Sequence, residues 1–279
     1  MKSKLSRFIK RQKFAARKAL WRTFRSYDGE SSAVFILGAQ RSGTTLLLFC
    51  LEKSMEFDVL GESSKAMIDY RIRSNDEVRE LVRSSHHRIV VFKPLTDSHR
   101  SREFLDLVPD TRVIWAFRRV EDRANSSVAK FGDHNLQILR DISRGIGMER
   151  WQAQGLTGDL LDVIRSFDYT DMLPEAASAI FWYVRNSLFF EAGLENCDRV
   201  LPLAYEDLVS DPPTIMRGVC RFVGGQFKES MVRDVHAKSV GLRESKIPGD
   251  IQALCMPLYD KLHDVQNQRW RDLRLGDKS

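Results

Sequence analysis

The segment Gly38-Ala-Gln-Arg-Ser-Gly-Thr-Thr45 decides the fold. It follows a short apolar run at residues 33–37 and opens a helix-forming stretch at residues 44–54. Glycines let the backbone wrap around an anion, and the free amides at a helix N-terminus point toward it. A strand, a glycine-containing turn and a helix in this order are typical of a phosphate-binding loop.

The loop differs from that of nucleoside triphosphatases in the position of its cation. Those proteins end the loop in Gly-Lys-Ser/Thr, and the Lys reaches the β- and γ-phosphates. Here Thr44 stands at the lysine position, and Arg41 inside the loop supplies the positive charge. Two further apolar runs are followed by Lys93 and Arg118 rather than by an Asp that would suit magnesium. The pattern predicts an anion neutralised by protein cations, with no metal required.

Apolar runs alternate with helix-forming stretches along the rest of the chain. Strands are predicted at residues 33–37, 88–92, 112–117 and 199–204, and helices at residues 44–54, 64–83, 100–107 and 120–131. Strands alternating with helices indicate a parallel sheet covered on both faces. We therefore expect an α/β protein with a P-loop-type three-layer fold, in which helices flank a central parallel sheet. Residues 132–196 lack clear strands and are predicted to be mostly helical.

The net charge of +6 is concentrated at the N-terminus. Residues 1–27 contain ten basic residues and no acidic one, whereas the rest of the chain has 34 basic and 38 acidic residues. The basic excess therefore belongs to the tail, and no nucleic-acid partner is expected for the globular body. Residues 1–30 are predicted to form a basic amphipathic helix, with Leu5, Phe8, Ile9 and Leu20 on its apolar face. Such a helix can contact an anionic membrane, pack on its own domain, remain a solvated arm or serve as an arm that contacts nucleic acid.

Cysteine spacing and hydropathy bear on the cellular compartment. The four cysteines are not at metal-ligand spacing, so we interpret them as small apolar residues in a reducing compartment. The apolar runs are far shorter than the ~20 residues of a membrane span, and the N-terminus lacks the apolar core of a signal peptide. We predict a cytoplasmic protein, with any membrane contact peripheral and made through residues 1–27.

Residues 35–46 resemble the 5′-phosphosulfate loop of the nucleotide-dependent sulfotransferases. The Arg-Ser-Gly-Thr-Thr version is similar to that of bacterial and glycan-modifying members. The donor of this family is 3′-phosphoadenosine 5′-phosphosulfate (PAPS), and the nucleotide product is the 3′,5′-bisphosphate (PAP). The resemblance implies a sulfotransferase domain over residues 31–279, with residues 132–196 as an insertion on the acceptor side. It also implies that the loop holds the 5′ end of PAPS through Gly38, Gln40, Arg41, Ser42, Gly43, Thr44 and Thr45, and that Arg41 neutralises charge near the transferring group.

A second phosphate site is predicted at Arg118 and Ser126. Arg118 ends the strand predicted at residues 112–117, and Ser126 follows eight positions later. A strand-end Arg and a helix Ser can converge on one phosphate. The resemblance implies that this pair binds the 3′-phosphate, because the family's second motif is a strand, then Arg-Asp-Pro, then a Ser eight residues after the Arg. This chain has Arg119-Val120 in place of Asp-Pro, and Ser127 is an alternative to Ser126.

Two later segments also resemble parts of the family. Residues 204–213 are similar to its Tyr-Glu-Asp-Leu segment, which is mainly architectural, and Asp211 is predicted to cap the following helix before two prolines. Lys238 and Ser239 lie near where the family has a late loop over the nucleotide. They are further candidates for nucleotide binding.

Transfer to a hydroxyl requires a base within hydrogen-bond reach of its proton. The resemblance implies that Glu62 is this base, because glycan sulfotransferases carry such a Glu after the first helix. The family often has Pro next, where this chain has Ser63. Lys93 at the carboxyl end of a predicted strand points into the ligand crevice and resembles a family Lys-x-Pro, which implies a role in catalysis or acceptor binding. His99, six residues after Lys93, is the alternative base.

Taken together, these features predict a PAPS-dependent sulfotransferase that moves a sulfuryl group to an acceptor hydroxyl by in-line transfer. A carbohydrate or glycolipid acceptor is favoured, because the loop resembles the glycan-type version and the tail suggests a lipid-linked acceptor. Trp151 and the aromatic residues 181–183 either stack on a sugar or belong to the core. A P-loop nucleotide kinase or NTPase is one alternative function, and a non-catalytic nucleotide-binding module is another.

Overall fold

The structure, a computed structural model, describes residues 27, 29–236, 241 and 246–275. The predicted amphipathic helix within residues 1–30 lies almost wholly outside the described residues, as do Lys238 and Ser239. Within the described residues, no helix is long and apolar enough to cross a membrane.

Seven strands and ten α-helices are described. The strands are β1 (Ser32–Gly38), β2 (Phe57–Leu60), β3 (Met67–Ile68), β4 (Arg71–Ile72), β5 (Ile89–Phe92), β6 (Arg112–Phe117) and β7 (Val200–Ala204). The helices are α1 (Thr44–Glu52), α2 (Asn75–Arg83), α3 (Ser101–Leu105), α4 (Val120–Phe131), α5 (His134–Ser143), α6 (Gly158–Arg165), α7 (Pro174–Glu191), α8 (Tyr205–Ser210), α9 (Pro212–Phe222) and α10 (Gly249–Leu275). Short 3₁₀ turns lie at Leu95–Arg100, Leu194–Asn196 and Glu229–Met231.

Five strands form a parallel sheet in the order β2-β5-β1-β6-β7. In the register of the sheet, Val34 lies opposite Val91 of β5 and Arg112 of β6. Strand β1 is therefore central, and the phosphate loop leaves the middle of the carboxyl edge. The strands β2 and β5 lie on one side of that loop, and β6 and β7 lie on the other.

Helices cover both faces of this sheet. Successive side chains of a strand point to opposite faces. Phe35 and Leu37 of β1 accordingly join the core formed with α3, α4, α7 and α10, whereas Val34 and Ile36 join the core formed with α1, α8 and α9. Both sets are buried, which explains why β1 is a continuous apolar run rather than an alternating one. The predicted three-layer α/β fold is confirmed.

The cysteine side chains are mostly inside these cores. Cys50, Cys220 and Cys255 are buried free thiols, and burial raises the pKa of each thiol to about 12. Cys197 is partly buried and also free. A thiol with a raised pKa is a poor nucleophile at neutral pH, so these three residues act in packing.

The helix predicted over residues 64–83 is wrong in its first half. Strands β3 and β4 form a hairpin there, and α2 begins only at Asn75. The hairpin turn has no Gly or Asn to announce it, although such turns favour these residues. The start of α2 does carry a signal: Ser74 Oγ accepts from the Glu77 amide, and the Glu77 carboxylate accepts from the Ser74 amide.

Two smaller differences concern β2 and the segment that follows β5. No strand is predicted at Phe57–Leu60, yet β2 pairs with β5 along its length. Its two middle residues are only partly buried, so the segment lacks the apolar run that marks the other strands. The helix predicted at residues 100–107 is present as the shorter α3, Ser101–Leu105, and a 3₁₀ turn at Leu95–Arg100 precedes it.

Candidate functional site

A cavity of about 810 Å³ opens at the carboxyl edge of the sheet. Parallel α/β sheets bind ligands at this edge. The predicted site residues that line the cavity are Gln40, Arg41, Gly43, Thr44, Thr45, Glu62, Lys93, Arg118 and Ser126. They come from four strand ends, from the first turn of α1 and from the second turn of α4, so the fold gathers them from distant parts of the chain.

Two predicted loop residues and one candidate base lie elsewhere. Gly38 and Ser42 are not among the described residues that line the cavity, and Ser42 is 1% exposed. The Gly38 amide donates to Ser98 Oγ at 3.1 Å. A Cβ on Gly38 would lie 2.2 Å from the Ala116 carbonyl oxygen, and its φ is 117°. Gly38 therefore serves close strand packing. The imidazole of His99 is also absent from the described lining.

The phosphate loop adopts backbone angles that favour glycine. Gly43 precedes α1 with φ 83°, and a Cβ there would lie 2.3 Å from the Tyr205 ring. Arg41 has φ 71°, which is unfavourable for a residue with a side chain. Such strain persists where the surroundings enforce it and is concentrated at functional sites. The strained residue here is the one that carries the cation of the loop.

Lys93 joins the phosphate loop to Glu62. Its ammonium donates to Thr45 Oγ1 at 3.1 Å and lies 3.3 Å from Glu62 Oε2. The Lys93 side chain is 4% exposed, whereas that of Glu62 is 35% exposed. A nearly buried cation thus contacts a carboxylate that remains open to the cavity. This geometry suits a base that receives a proton beside a group that stabilises negative charge.

Arg41 and Arg118 face the same cavity. Arg41 Nε donates to Ser126 Oγ at 3.1 Å, which links the phosphate loop directly to α4. Arg118 packs on the Tyr205 ring at 4.3 Å, with the Asp122 carboxylate 3.9 Å away. The indole of Trp182 on α7 donates to the Arg118 carbonyl oxygen at 2.9 Å, which fixes the backbone at the end of β6.

Ser126 rather than Ser127 faces the cavity. Ser127 is 1% exposed and accepts a hydrogen bond from Asn135 Nδ2 at 2.9 Å, so its hydroxyl is turned into the interior.

Glu206 holds the turn at Arg119-Val120, which stands in place of the family's Asp-Pro. Its carboxylate accepts from the Arg119 amide at 3.1 Å. Burial raises the pKa of Glu206. This contact gives Glu206 an architectural role.

Arg123 is a residue of the site that the sequence analysis did not identify. It is 1% exposed and lies behind the phosphate loop, where it donates to the Gln40 carbonyl oxygen at 3.0 Å and to the Ser178 carbonyl oxygen at 2.7 Å. Burial, with a smaller contribution from the guanidinium of Arg41, lowers the pKa of Arg123 to about 9. The side chain stays charged at neutral pH and adds positive potential beneath the loop. No local sequence pattern marks Arg123, because its burial depends on the packing of α4 against α7.

The surroundings of His99 disfavour protonation of its imidazole, which does not suit a catalytic base. Its ring packs beside Gly155, and burial lowers the pKa of its imidazole to about 4, with the nearby Arg185 adding to the effect. Asp97 opposes the shift, while Arg71 and Arg100 reinforce it. An imidazole with so low a pKa accepts a proton poorly at neutral pH.

The neutral state of His99 should make stability depend on pH. Its pKa falls from 6.5 when exposed to about 4 in the fold, so the unfolded chain binds more protons between these values. The contribution of neutral His99 to the free energy of unfolding is therefore fully present above pH 6.5 and is lost as the pH falls toward 4. We expect His99→Leu to remove about 1 to 2 kcal/mol of this pH dependence, less than the full shift would give because the ring is partly exposed. Urea unfolding at several pH values measures it. The exposed His86, changed to Gln, serves as the control, and an unchanged slope in His99→Leu would contradict the prediction.

A family model described as "Sulfotransferase domain" matches residues 31–241. The chain belongs to this sulfotransferase family. The match spans the phosphate loop, both arginines that face the cavity, Glu62 and Lys93. The predicted family is confirmed, and membership disfavours the kinase or NTPase alternative. Family and fold together support sulfotransferase activity.

Solved structures similar to this sulfotransferase are distant. The sulfotransferase domain of the Synechococcus PCC 7002 olefin synthase is 16% identical, with 86% of this chain and 98% of that chain covered and a TM-score of 0.45. A sulfotransferase domain from the curacin biosynthetic pathway is 15% identical, with coverage of 85% and 97% and a TM-score of 0.46. A sulfotransferase from Alicyclobacillus acidocaldarius is 18% identical, with coverage of 85% and 98% and a TM-score of 0.44. None of the curated proteins compared with the chain matches it.

Proposed function

We propose that this sulfotransferase transfers the sulfuryl group of PAPS to an acceptor hydroxyl. One observation carries the proposal: a single cavity joins the phosphate loop, with Arg41, to Arg118 and Ser126. Two cationic groups in one cavity suit a nucleotide that is phosphorylated at both the 5′ and the 3′ position. ATP and GTP have no 3′-phosphate and would leave the Arg118 side without a ligand.

In the proposed complex, the loop amides and the hydroxyls of Thr44 and Thr45 hold the 5′-phosphosulfate. Arg118 and Ser126 hold the 3′-phosphate, and the Arg41–Ser126 hydrogen bond lies between these two sites. Asp122 and Glu206 lie 3.9 and 4.0 Å from the Arg118 guanidinium and help to orient it, and the guanidinium can then donate to a phosphate in the cavity. Lys238 and Ser239 remain proposed contributors to nucleotide binding.

The order of the strands separates donor from acceptor. Arg118 and Ser126 belong to β6 and α4, on one side of the loop, whereas Glu62 and Lys93 follow β2 and β5 on the other. The nucleotide then leaves toward β6 while the acceptor hydroxyl arrives from the β5 side. This arrangement suits in-line displacement, which needs the attacking and leaving oxygens on opposite sides of the sulfur.

The chemical step follows from the contacts of Glu62. Its carboxylate takes the proton of the acceptor hydroxyl, and the acceptor oxygen forms a bond to sulfur. The bond between sulfur and the bridging oxygen breaks, and the electron pair stays on the 5′-phosphate of PAP. Lys93 and Arg41 neutralise the negative charge that builds on that oxygen. No metal is required, because the transferring sulfuryl group carries a single negative charge.

The finer parts of the proposal concern acceptor and location. A carbohydrate or glycolipid acceptor is supported by the glycan-type loop sequence at residues 38–45. Peripheral contact with an anionic membrane is supported by the ten basic residues within residues 1–27.

Transfer of radiolabelled sulfur tests the proposed function. The full chain is incubated with ³⁵S-labelled PAPS and a panel of neutral sugars, glycolipids and alcohols, and products are separated and identified by mass spectrometry. We expect label in at least one hydroxyl product and stoichiometric formation of PAP. Magnesium-dependent turnover of ATP, with no transfer from PAPS to any acceptor in a cell extract, would contradict the proposal.

A further inference from the structure

The tip of the β3–β4 hairpin holds an aromatic side chain at the mouth of the cavity. Asp69 and Tyr70 both line the cavity, and Tyr70 is 67% exposed. Their φ angles are 49° and 64°, in the left-handed region that residues with large side chains disfavour. A large aromatic ring that is both exposed and held in a disfavoured backbone conformation makes no contribution to the core.

The hairpin is held at its tip and along β4. Thr96 Oγ1 donates to the Tyr70 carbonyl oxygen at 2.7 Å. The fully buried Asp97 accepts from Arg71 Nε at 2.7 Å and from the Ile72 amide at 2.9 Å. Thr96 and Asp97 lie three and four residues after Lys93 in the chain. The position of Tyr70 is therefore fixed relative to the catalytic side of the cavity.

Two further apolar residues line the cavity, of which Leu95 is only 4% exposed. Leu95 and Trp151 line the same cavity as Tyr70. The Trp151 ring packs edge-on against Phe181, with ring centroids 6.0 Å apart, which leaves part of the indole facing the cavity. Exposed aromatic surface beside a polar site is typical of ligand recognition.

The charges on this side of the cavity are mainly negative. Among the described residues that line this side, Glu62 and Asp69 present carboxylates and Lys93 is the cation, while Arg71 of the hairpin is paired with the buried carboxylate of Asp97. Lys93 already contacts Glu62 at 3.3 Å. An acceptor that carries several carboxylates or sulfates would be repelled by this arrangement. An uncharged acceptor would meet no such penalty.

We infer that Tyr70 recognises the acceptor, and that the acceptor is an uncharged molecule whose reacting hydroxyl is close to an apolar group packed on the Tyr70 ring. The inference rests on the proposed function, because the acceptor must enter from the Glu62 side. The β3–β4 hairpin would then determine acceptor specificity, whereas the loops that follow β1 and β6 would bind the donor.

Binding to the protein saturated with PAP tests the inference without requiring turnover. The probes are octyl β-D-glucoside below its micelle concentration, methyl β-D-glucoside, and a sulfated disaccharide, each titrated by calorimetry. We expect the octyl glucoside to bind at least about tenfold more tightly than the methyl glucoside, as the burial of an alkyl chain would give. Tyr70→Ala should weaken octyl glucoside binding about tenfold, and Tyr70→Phe should retain it, because the ring rather than the hydroxyl makes the contact.

Donor binding separates this inference from the proposed function. PAP should bind equally to the wild type, Tyr70→Ala and Tyr70→Phe, since Tyr70 lies away from the phosphate sites. If PAP fails to bind the wild type, the proposed function is contradicted, and the same titrations on the free protein still test Tyr70. The inference is overturned if Tyr70→Ala binds octyl glucoside as the wild type does, if the wild type binds no glucoside, or if the sulfated disaccharide binds more tightly than octyl glucoside.

Discussion

Glu62→Gln should lower kcat for sulfuryl transfer by about a hundredfold to ten-thousandfold, the range for loss of a general base. The amide is nearly the same shape as the carboxylate but cannot accept the proton of the acceptor hydroxyl. PAP binding should change little, because Glu62 follows β2, on the opposite side of the phosphate loop from Arg118 and Ser126. Single-turnover transfer from PAPS gives the rate, and calorimetry gives the affinity for PAP.

Controls are needed because Glu62 also contacts the nearly buried Lys93. The thermal midpoint of Glu62→Gln shows whether loss of this ion pair disturbs the fold, and Glu149→Gln changes an exposed carboxylate away from the cavity. Full activity in Glu62→Gln would remove Glu62 from the mechanism. A parallel loss of PAP affinity would instead give it a role in holding the loop.

Arg41→Gly should lower kcat/KM by about a hundredfold or more while leaving stability almost unchanged, since removal of an electrostatic donor to the transition state has an effect of this size. The activity falls because the cation of the phosphate loop is lost. Stability should stay within about 1 kcal/mol of the wild type, because glycine relieves the strain at φ 71° but adds freedom to the unfolded chain.

Arg41→Ala provides the matched control for this separation of activity and stability. It removes the same guanidinium but keeps a Cβ in the left-handed conformation, so it should be as inactive as Arg41→Gly and less stable by about 1 kcal/mol. Urea unfolding of both variants measures the difference. Equal stability of the two variants would show that the loop backbone relaxes without the arginine, and retained activity in Arg41→Gly would contradict the assigned role of the cation.

The strand–loop–helix segment at residues 33–52 and the strand before Arg118 were predictable because their signals are local. Buried parallel strands appear as continuous apolar runs. A glycine-containing turn between such a run and a helix is typical of a phosphate-binding loop. Arg118 was placed correctly in the fold because it directly follows the strand β6. The choice between Ser126 and Ser127 rested on the family resemblance, and the structure turns Ser127 toward Asn135 while Ser126 lines the cavity.

Strand β2 and the β3–β4 hairpin were much harder to predict. Strand β2 lies at the edge of the sheet and is only partly buried, so no apolar run marks it. The β3–β4 hairpin depends on Asp69 and Tyr70 adopting left-handed angles that their sequence does not favour. That conformation is held by Thr96 and Asp97, which lie more than twenty residues away along the chain. Local sequence patterns cannot report a turn that is stabilised by such distant contacts.

Arg123 illustrates a second limit of sequence patterns. A charged residue on the inward face of a helix is usually read as exposed, yet here two carbonyl oxygens and the neighbouring loop make burial tolerable. Only the packing of α4 against α7 shows that its guanidinium lies behind the phosphate loop. The site therefore contains more positive charge than the loop sequence suggests.

One cavity is proposed to bind a nucleotide that is phosphorylated at both the 5′ and the 3′ position of its ribose. Calorimetric titration of the wild-type protein with PAP and with adenosine 5′-monophosphate, which lacks the 3′-phosphate, tests it most directly. We predict that PAP binds at least about a hundredfold more tightly, as one or two charge-assisted hydrogen bonds to the 3′-phosphate would give, and that Arg118→Ala removes most of this preference. Equal affinities of the wild type for the two nucleotides would contradict the account.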